Sequence, residues 1–292
     1  MPATQRPRRS VLFMPGSNAR ALEKARGLPA DALIFDLEDA VAPNEKEKAR
    51  LQVRDTLRQG GYGAREIIVR INGMNTSWGE ADVATLAAEG PDALLIPKVE
   101  SKQVVDGIER QMHIAGAPDD TAIWCMIETP RGVLRAEEIA SASPRLGALV
   151  MGTSDLAKDL HCLHTPRREP FMASLSWCIL AARANGLVIL DGVHLNLADE
   201  DEFVETCRQG REMGFDGKTL IHPKTIAAAN EAYAPGTEEI DWSRRMIAAH
   251  EEAAREGQGV VLLDGQLVEN LHVEEAQRIV GLADMIADLA AE

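Results

Sequence analysis

The side chains in this sequence best placed to do chemistry are a few carboxylates and one arginine that close short apolar runs. Glu128 in MIETP and Asp155 in GTSDL follow two successive runs, so a fold that aligns the runs would set two carboxylates side by side. A pair of oxygen ligands with open coordination positions suits Mg2+ or Mn2+, which keep waters and accept substrate oxygens. The competing role is structural, because Asp155 before Leu156 could cap a helix. Arg70 in VRING follows residues that should be buried, and its guanidinium would project beside those carboxylates. Its planar fork is suited to a carboxylate, which implies an acidic substrate. An internal ion pair to Asp36 or Glu38 is the alternative, and both roles can hold at once, since an acid behind an arginine fixes its orientation. Arg70 and Glu128 are therefore candidate substrate contacts, Glu128 and Asp155 candidate metal ligands, and Asp36 joins Arg70 in the candidate catalytic set.

Other reactive residues carry weaker signals. His161, Cys162 and His164 in HCLH match no common zinc spacing, and Cys125 lies inside an apolar run as a small core residue would. Asn75-Thr76-Ser77 is a glycosylation triplet with no secretory signal ahead of it, and is set aside.

Positioning these groups falls to eight apolar runs: SVLFMPG from Ser10, ALIFDLED from Ala32, EIIVRING from Glu66, ALLIPKVE from Ala93, AIWCMIET from Ala122, ALVMGTSD from Ala148, LVILDGVHL from Leu187 and GKTLIHP from Gly217. Each is too short for a helix and lacks strict polar alternation, which is the pattern of buried parallel strands. Helically spaced segments separate them, among them Asn44 to Arg58, Ser101 to Ala115, Glu200 to Met213 and Lys224 to Tyr233. This predicts an α/β fold, a (β/α)8 TIM barrel, with a doubly wound sheet as the competitor because strand order is not written in a sequence. The polar residues decide between them: Asp36, Glu38, Asp39, Arg70, Asn72, Lys98, Glu128, Asp155 and His222 all follow their runs, and a barrel brings those ends to one mouth.

After Pro235 the pattern changes to a polar helix over 238–257, an Asp264-Gly265 turn between two apolar runs, and an amphipathic helix from His272 to Ala290. The expected division is a catalytic barrel over 1–235 and a C-terminal helix-hairpin-helix arm over 236–292 that packs on a neighbouring subunit.

Composition narrows the function classes. Apolar residues at 45% and charged residues at 26% are ordinary globular values, which argues against disorder and against a disulfide-dense scaffold. Four widely spaced cysteines predict reduced thiols, and with no membrane-length apolar run the expectation is a soluble cytoplasmic protein. A net charge of −15 disfavours nucleic acid and anionic membranes as partners. The first 26 residues depart from that balance, with Arg6, Arg8, Arg9, Arg20, Lys24 and Arg26 against Glu23 alone. Arg6, Arg8 and Arg9 could be a plain basic tail. Arg20 and Lys24, one helical turn apart, would share a face and offer a site for a small anionic ligand.

Seven motifs in order carry a family resemblance: RSVLFMPGSN from Arg9, ALIFDLEDAVAPNEKEKAR from Ala32, VRING from Val69, IPK from Ile96, IETPRG from Ile127, GTSDLAKDL from Gly152 and GFDGKTLIHP from Gly214. Together they resemble the citrate lyase β-subunit-like family of the HpcH/HpaI aldolase superfamily, which includes malyl-CoA, methylmalyl-CoA and citramalyl-CoA lyases. The resemblance implies a Mg2+-dependent barrel, with Mn2+ as a substitute, that cleaves or forms the carbon–carbon bond of a β-hydroxyacyl-CoA. The products would be a keto acid and acetyl- or propionyl-CoA. It matches Arg70 to the substrate-binding arginine, Glu128 and Asp155 to the metal carboxylates, and the loop bearing Arg20 and Lys24 to the CoA contacts, although some relatives carry arginine where this chain has Asn18. It also implies a homo-oligomer, a trimer or dimer of trimers, in which a carboxylate after a G-x-M-I-D turn serves the neighbouring subunit. Here that stretch reads Gly265-Gln266-Leu267-Val268-Glu269, so Glu269, one methylene longer than aspartate, is the candidate acid/base. The rival readings are a malyl-CoA-type thioesterase, a citrate lyase β-like or CoA-binding regulatory subunit, and an aldolase that does not use CoA.

Overall fold

The computed structural model describes residues 6–255, 257 and 260–291. They divide into two compact units, one over Arg8–Tyr233 and one from Ala234 onward.

The first unit is a closed barrel of eight parallel strands: β1 (Ser10–Pro15), β2 (Ala32–Asp36), β3 (Glu66–Arg70), β4 (Ala93–Ile96), β5 (Ala122–Ile127), β6 (Leu146–Met151), β7 (Val188–Asp191) and β8 (Gly217–Leu220). Neighbours in sequence are neighbours in the sheet, and β8 pairs with β1. This settles the topology in favour of the barrel over the doubly wound sheet. Helices α1 (Ala19–Ala25), α2 (Lys46–Gln59), α3 (Gly79–Leu86), α4 (Lys102–Ile114), α5 (Pro130–Leu134) and α6 (Ala136–Ala140) follow the first five strands. After β6 come α7 (Thr153–Leu160) and α8 (Met172–Ala184), then α9 (Glu200–Met213) and α10 (Ile226–Tyr233) after β7 and β8.

Strand side chains alternate between two apolar compartments, which is why the runs read as continuous rather than striped. Ile34, Ile68, Leu95, Trp124, Met126 and Val150 fill the barrel interior, while Phe35, Val69, Leu94, Cys125, Ile127 and Leu149 pack in the larger core outside the wall. The interior stack closes at the strands' N-terminal end on an ion pair, with Arg8 Nη2 donating to Glu66 Oε1 at 2.7 Å and the guanidinium 5.3 Å from the Trp124 ring centre. The same alternation sends Asp36, Arg70 and Glu128 inward at the opposite end, two residues beyond Ile34, Ile68 and Met126.

The second unit contains α11 (Thr237–Arg255), the antiparallel strands β9 (Val261–Leu263) and β10 (Gln266–Val268), and α12 (Asn270–Ala291), with α11 and α12 packed together. Asp264 and Gly265 both take positive φ, 49° and 82°, the combination that a tight two-residue hairpin turn requires. Glu269 is exposed at the junction of β10 and α12, where its backbone N–H donates to His272 Nδ1 at 3.0 Å. Among the described residues no helix is long and apolar enough to cross a membrane.

Candidate active site

Strand register builds the centre of the mouth. Asp36 and Arg70 are direct partners in the β2–β3 ladder, so their inward side chains meet. Arg70 donates from Nε to Asp36 Oδ1 at 2.7 Å and from Nη2 to Asp36 Oδ2 at 2.6 Å. Asp36 also accepts the Glu38 and Ala40 backbone N–H groups at 2.8 and 3.0 Å. Four donors occupy its two oxygens, which makes Asp36 a support for Arg70 rather than a proton acceptor for a substrate. The internal ion pair expected of Arg70 is present, and the same residue lines the cavity at the mouth. Its Nη1 lies 3.1 Å from Glu38 Oε2 and 3.4 Å from Asp39 Oδ2, and Phe13 covers its face with the ring centre 4.7 Å away. The surrounding carboxylates raise its pKa against the cost of burial.

Glu128 follows β5 by one residue and is 2% exposed. Its Oε1 accepts the backbone N–H of Lys98 at 2.8 Å. Room for it comes from Gly152 on the next strand level, where any Cβ would land on the Glu128 carboxylate. Burial, reinforced by Glu38, pushes the Glu128 carboxyl up to about 7 against the opposing pull of Lys98 and Arg70. Asp155 does not end a strand as the sequence suggested; it lies in the first turn of α7, four residues beyond the end of β6. The N-cap of that helix is Gly152, without a side-chain cap, so Asp155 is not the capping residue either. Partial burial raises its pKa, but Lys98 and Lys158 outweigh this and hold it below the usual carboxylate range.

Arg70, Glu128 and Asp155 line one cavity of about 340 Å3, with Phe13, Met126 and Thr219 among its walls. The remaining candidates lie elsewhere. Arg20 and Lys24 are exposed on α1, whose N-terminus is capped by Asn18 Oδ1 accepting from Ala21 N at 3.1 Å. His161 ends α7 in a left-handed conformation, φ 54°, while His164 stacks against Phe171; no cluster of three or more metal-ligating His, Cys, Asp or Glu side chains occurs among the described residues. Cys125 is fully buried outside the barrel wall, with its thiol pKa pushed up by desolvation.

Sequence reasoning placed Lys98 at a strand end without a role. Its ammonium donates to Glu38 Oε1 at 2.7 Å and lies 3.3 Å from Asp155 Oδ2. The roles of Phe13 and Gly152 were also missed, although both share the inward parity of Val11 and Val150, which would have found them.

The family model described as HpcH/HpaI aldolase/citrate lyase matches residues 9–223. The chain belongs to this family. It is 51% identical over 285 residues to a (3S)-malyl-CoA thioesterase of Cereibacter sphaeroides, with 98% of each chain covered. It is 37% identical to the citrate lyase subunit beta of Escherichia coli, covering 96% of this chain and 94% of that one. Among solved structures, the Mycobacterium tuberculosis protein CitE in complex with magnesium, acetoacetate and coenzyme A superposes with a TM-score of 0.77 at 30% identity, covering 97% of this chain and 99% of the other.

The carboxyl of Glu128 gives a pH signature. Its folded pKa of about 7 lies above the ordinary 4.5, so burial favours the protonated form. Its contribution to stability is complete below pH 4.5 and is lost as the pH rises through about 7. In chelator-treated protein, Glu128→Gln should therefore gain stability over the unsubstituted chain between pH 5 and pH 8, by up to about 3 kcal/mol in urea unfolding. A difference that does not change with pH would contradict this environment for Glu128.

Proposed function

We propose that the protein is a Mg2+-dependent lyase of β-hydroxyacyl-CoA esters, with malyl-, methylmalyl- or citramalyl-CoA as the substrate class and Mn2+ as an alternative ion. The observation that carries this reading is the convergence of Arg70, Glu128 and Asp155 on one cavity. The donor chemistry fits the ion: Glu128 is a buried carboxylate whose charged form lacks enough positive charge to stabilise it, and Asp155 is already ionised beside it. Hard carboxylate oxygens lining one cavity suit Mg2+. Glu128 and Asp155 would hold the ion, which when bound polarises the oxygens of the hydroxy-acid end of the substrate.

The protein's own groups then account for the selectivity. Arg70 is locked from behind by Asp36 through Nε and one Nη2 proton while Nη1 faces Glu38 and Asp39, which leaves the second Nη2 proton for the substrate carboxylate on an arginine that is already oriented. A base takes up the hydroxyl proton, the freed oxygen pair forms the carbonyl of the keto acid, and the bond between the hydroxyl-bearing carbon and the thioester α-carbon breaks. The keto acid departs, its bonding electron pair remains as the thioester enolate, and a proton at the α-carbon completes acetyl- or propionyl-CoA. Glu269 is the group assigned to this proton transfer, contributed by the arm of a neighbouring subunit in a closed homo-oligomer. Arg20 and Lys24 are assigned to the CoA phosphates.

The 51% identity to a (3S)-malyl-CoA thioesterase favours a second reading on the same residues, in which water attacks the thioester carbonyl and releases malate and CoA. The lyase reading is placed first because the charged groups lining the cavity, Arg70, Glu128 and Asp155, suit the hydroxy-acid end at which the carbon–carbon bond would break. Incubation with malyl-CoA and Mg2+ should yield glyoxylate and acetyl-CoA. Malate and free CoA alone would establish the hydrolase instead. Arg70→Lys keeps the charge but loses the planar fork, and kcat/KM should fall roughly ten- to a thousandfold, or ~1.5 to 4 kcal/mol; unchanged kinetics would confine Arg70 to structure.

The assignment of Glu269 is tested by complementation. Glu269→Ala and Asp155→Ala should each be inactive alone. In equal mixture, a site needs an intact barrel from one subunit and an intact arm from the next, so about a quarter of sites should recover. No recovery in oligomers shown to be mixed would place Glu269 in its own chain's site, and an active Glu269→Ala protein would remove it from the mechanism.

A further inference from the structure

Lys98 touches the candidate site at both ends of its own residue. Strand β4 stops at Ile96, and after Pro97 the chain passes through Lys98 in a left-handed conformation, φ 51°. Non-glycine residues hold that conformation when the surroundings over-determine it, and such strain gathers at functional sites. Here the backbone N–H donates to Glu128 at 2.8 Å while the side chain arcs over to Glu38 Oε1 at 2.7 Å and Asp155 Oδ2 at 3.3 Å. One residue thus ties together two candidate metal ligands that come from different elements. Its side chain is 42% exposed, so it has a route into solvent. Asp155 has a second basic partner, the exposed Lys158 at 3.2 Å, on its other oxygen.

We propose that Lys98 is a built-in placeholder for the divalent cation: its ammonium holds Asp155 and Glu38 together while the cation is absent, and must yield Asp155 when one binds. This rests on Glu128 and Asp155 being the ligands, and adds that the chain sets the affinity of its own metal site through a competing side chain. Two effects of Lys98 oppose each other. It keeps Asp155 oriented, which favours binding, and it places a positive charge against an oxygen the cation needs, which disfavours it. Repulsion between charges a few ångströms apart in a partly buried site exceeds the rotamer freedom that one aspartate loses, so competition dominates.

The test is calorimetric titration of chelator-stripped full-length protein with Mn2+ alone. Lys98→Met and Lys98→Gln keep the backbone N–H on Glu128 and should bind Mn2+ at least about tenfold tighter than the unsubstituted chain. The unfolding temperature of the stripped Lys98→Met protein should also rise more on adding Mn2+. Lys98→Arg, which keeps the charge, should show no gain. Equal or weaker binding in the neutral variants overturns the placeholder, and so does a gain in Lys98→Arg as large as in Lys98→Met. If the unsubstituted chain binds Mn2+ and the neutral variants gain nothing, the ligand assignment stands and only this inference falls; if none of these proteins binds Mn2+, both fall.

Discussion

Crowding of like charge governs the mouth of this barrel. Asp36, Glu38, Asp39, Glu128 and Asp155 reach it from the ends of β2 and β5 and from α7, and Arg70, Lys98 and the exposed Lys158 are among the positive charges that meet them. Carboxylates this close cannot all ionise without compensation. The structure divides the problem: Asp36 is neutralised by a two-bond pair with Arg70 and two backbone N–H groups, while Glu128 is left under-compensated, with its pKa near 7. An arrangement that leaves a buried carboxylate short of positive charge is unfavourable for stability alone and favourable for receiving a cation.

The geometry of that arrangement follows from strand parity. The period of two places Arg70 over Ile68 and Glu128 over Met126, and the ladder register places Asp36 opposite Arg70. These three positions were therefore legible in the sequence once eight buried parallel strands had been recognised, and the strand runs themselves coincide closely with β1 to β8. Asp155 was read as a strand end, but Gly152 starts a helix directly and carries it into the first turn of α7. The pull of Lys98 on it depends on a left-handed backbone at a non-glycine residue, which no local pattern announces. Gly152 reads as a neutral turn glycine until the Glu128 side chain is seen to occupy the space a Cβ would need.

Family membership extends the account along the whole chain. Seven motifs carry the resemblance to citrate lyase β-like proteins, and the matched family model covers the barrel from residue 9 to 223. The relative that is 51% identical is matched over 98% of this chain, so the similarity continues beyond the barrel into the second unit. Within the proposed chemistry, a fixed arginine and a pair of carboxylates select the hydroxy-acid end, and the fate of the thioester depends on what reaches the α-carbon or the carbonyl carbon. Closely related chains could thus cleave a carbon–carbon bond or hydrolyse a thioester on one scaffold.

The central claim is that Glu128 and Asp155 share a divalent cation. It is tested most directly by counting Mn2+ bound to chelator-stripped protein, using electron paramagnetic resonance of the free ion, in the unsubstituted chain, Glu128→Gln and Asp155→Asn. The account predicts a single ion per chain that is lost in both variants while circular dichroism remains unchanged. Retention of that ion at undiminished affinity in either variant would contradict it.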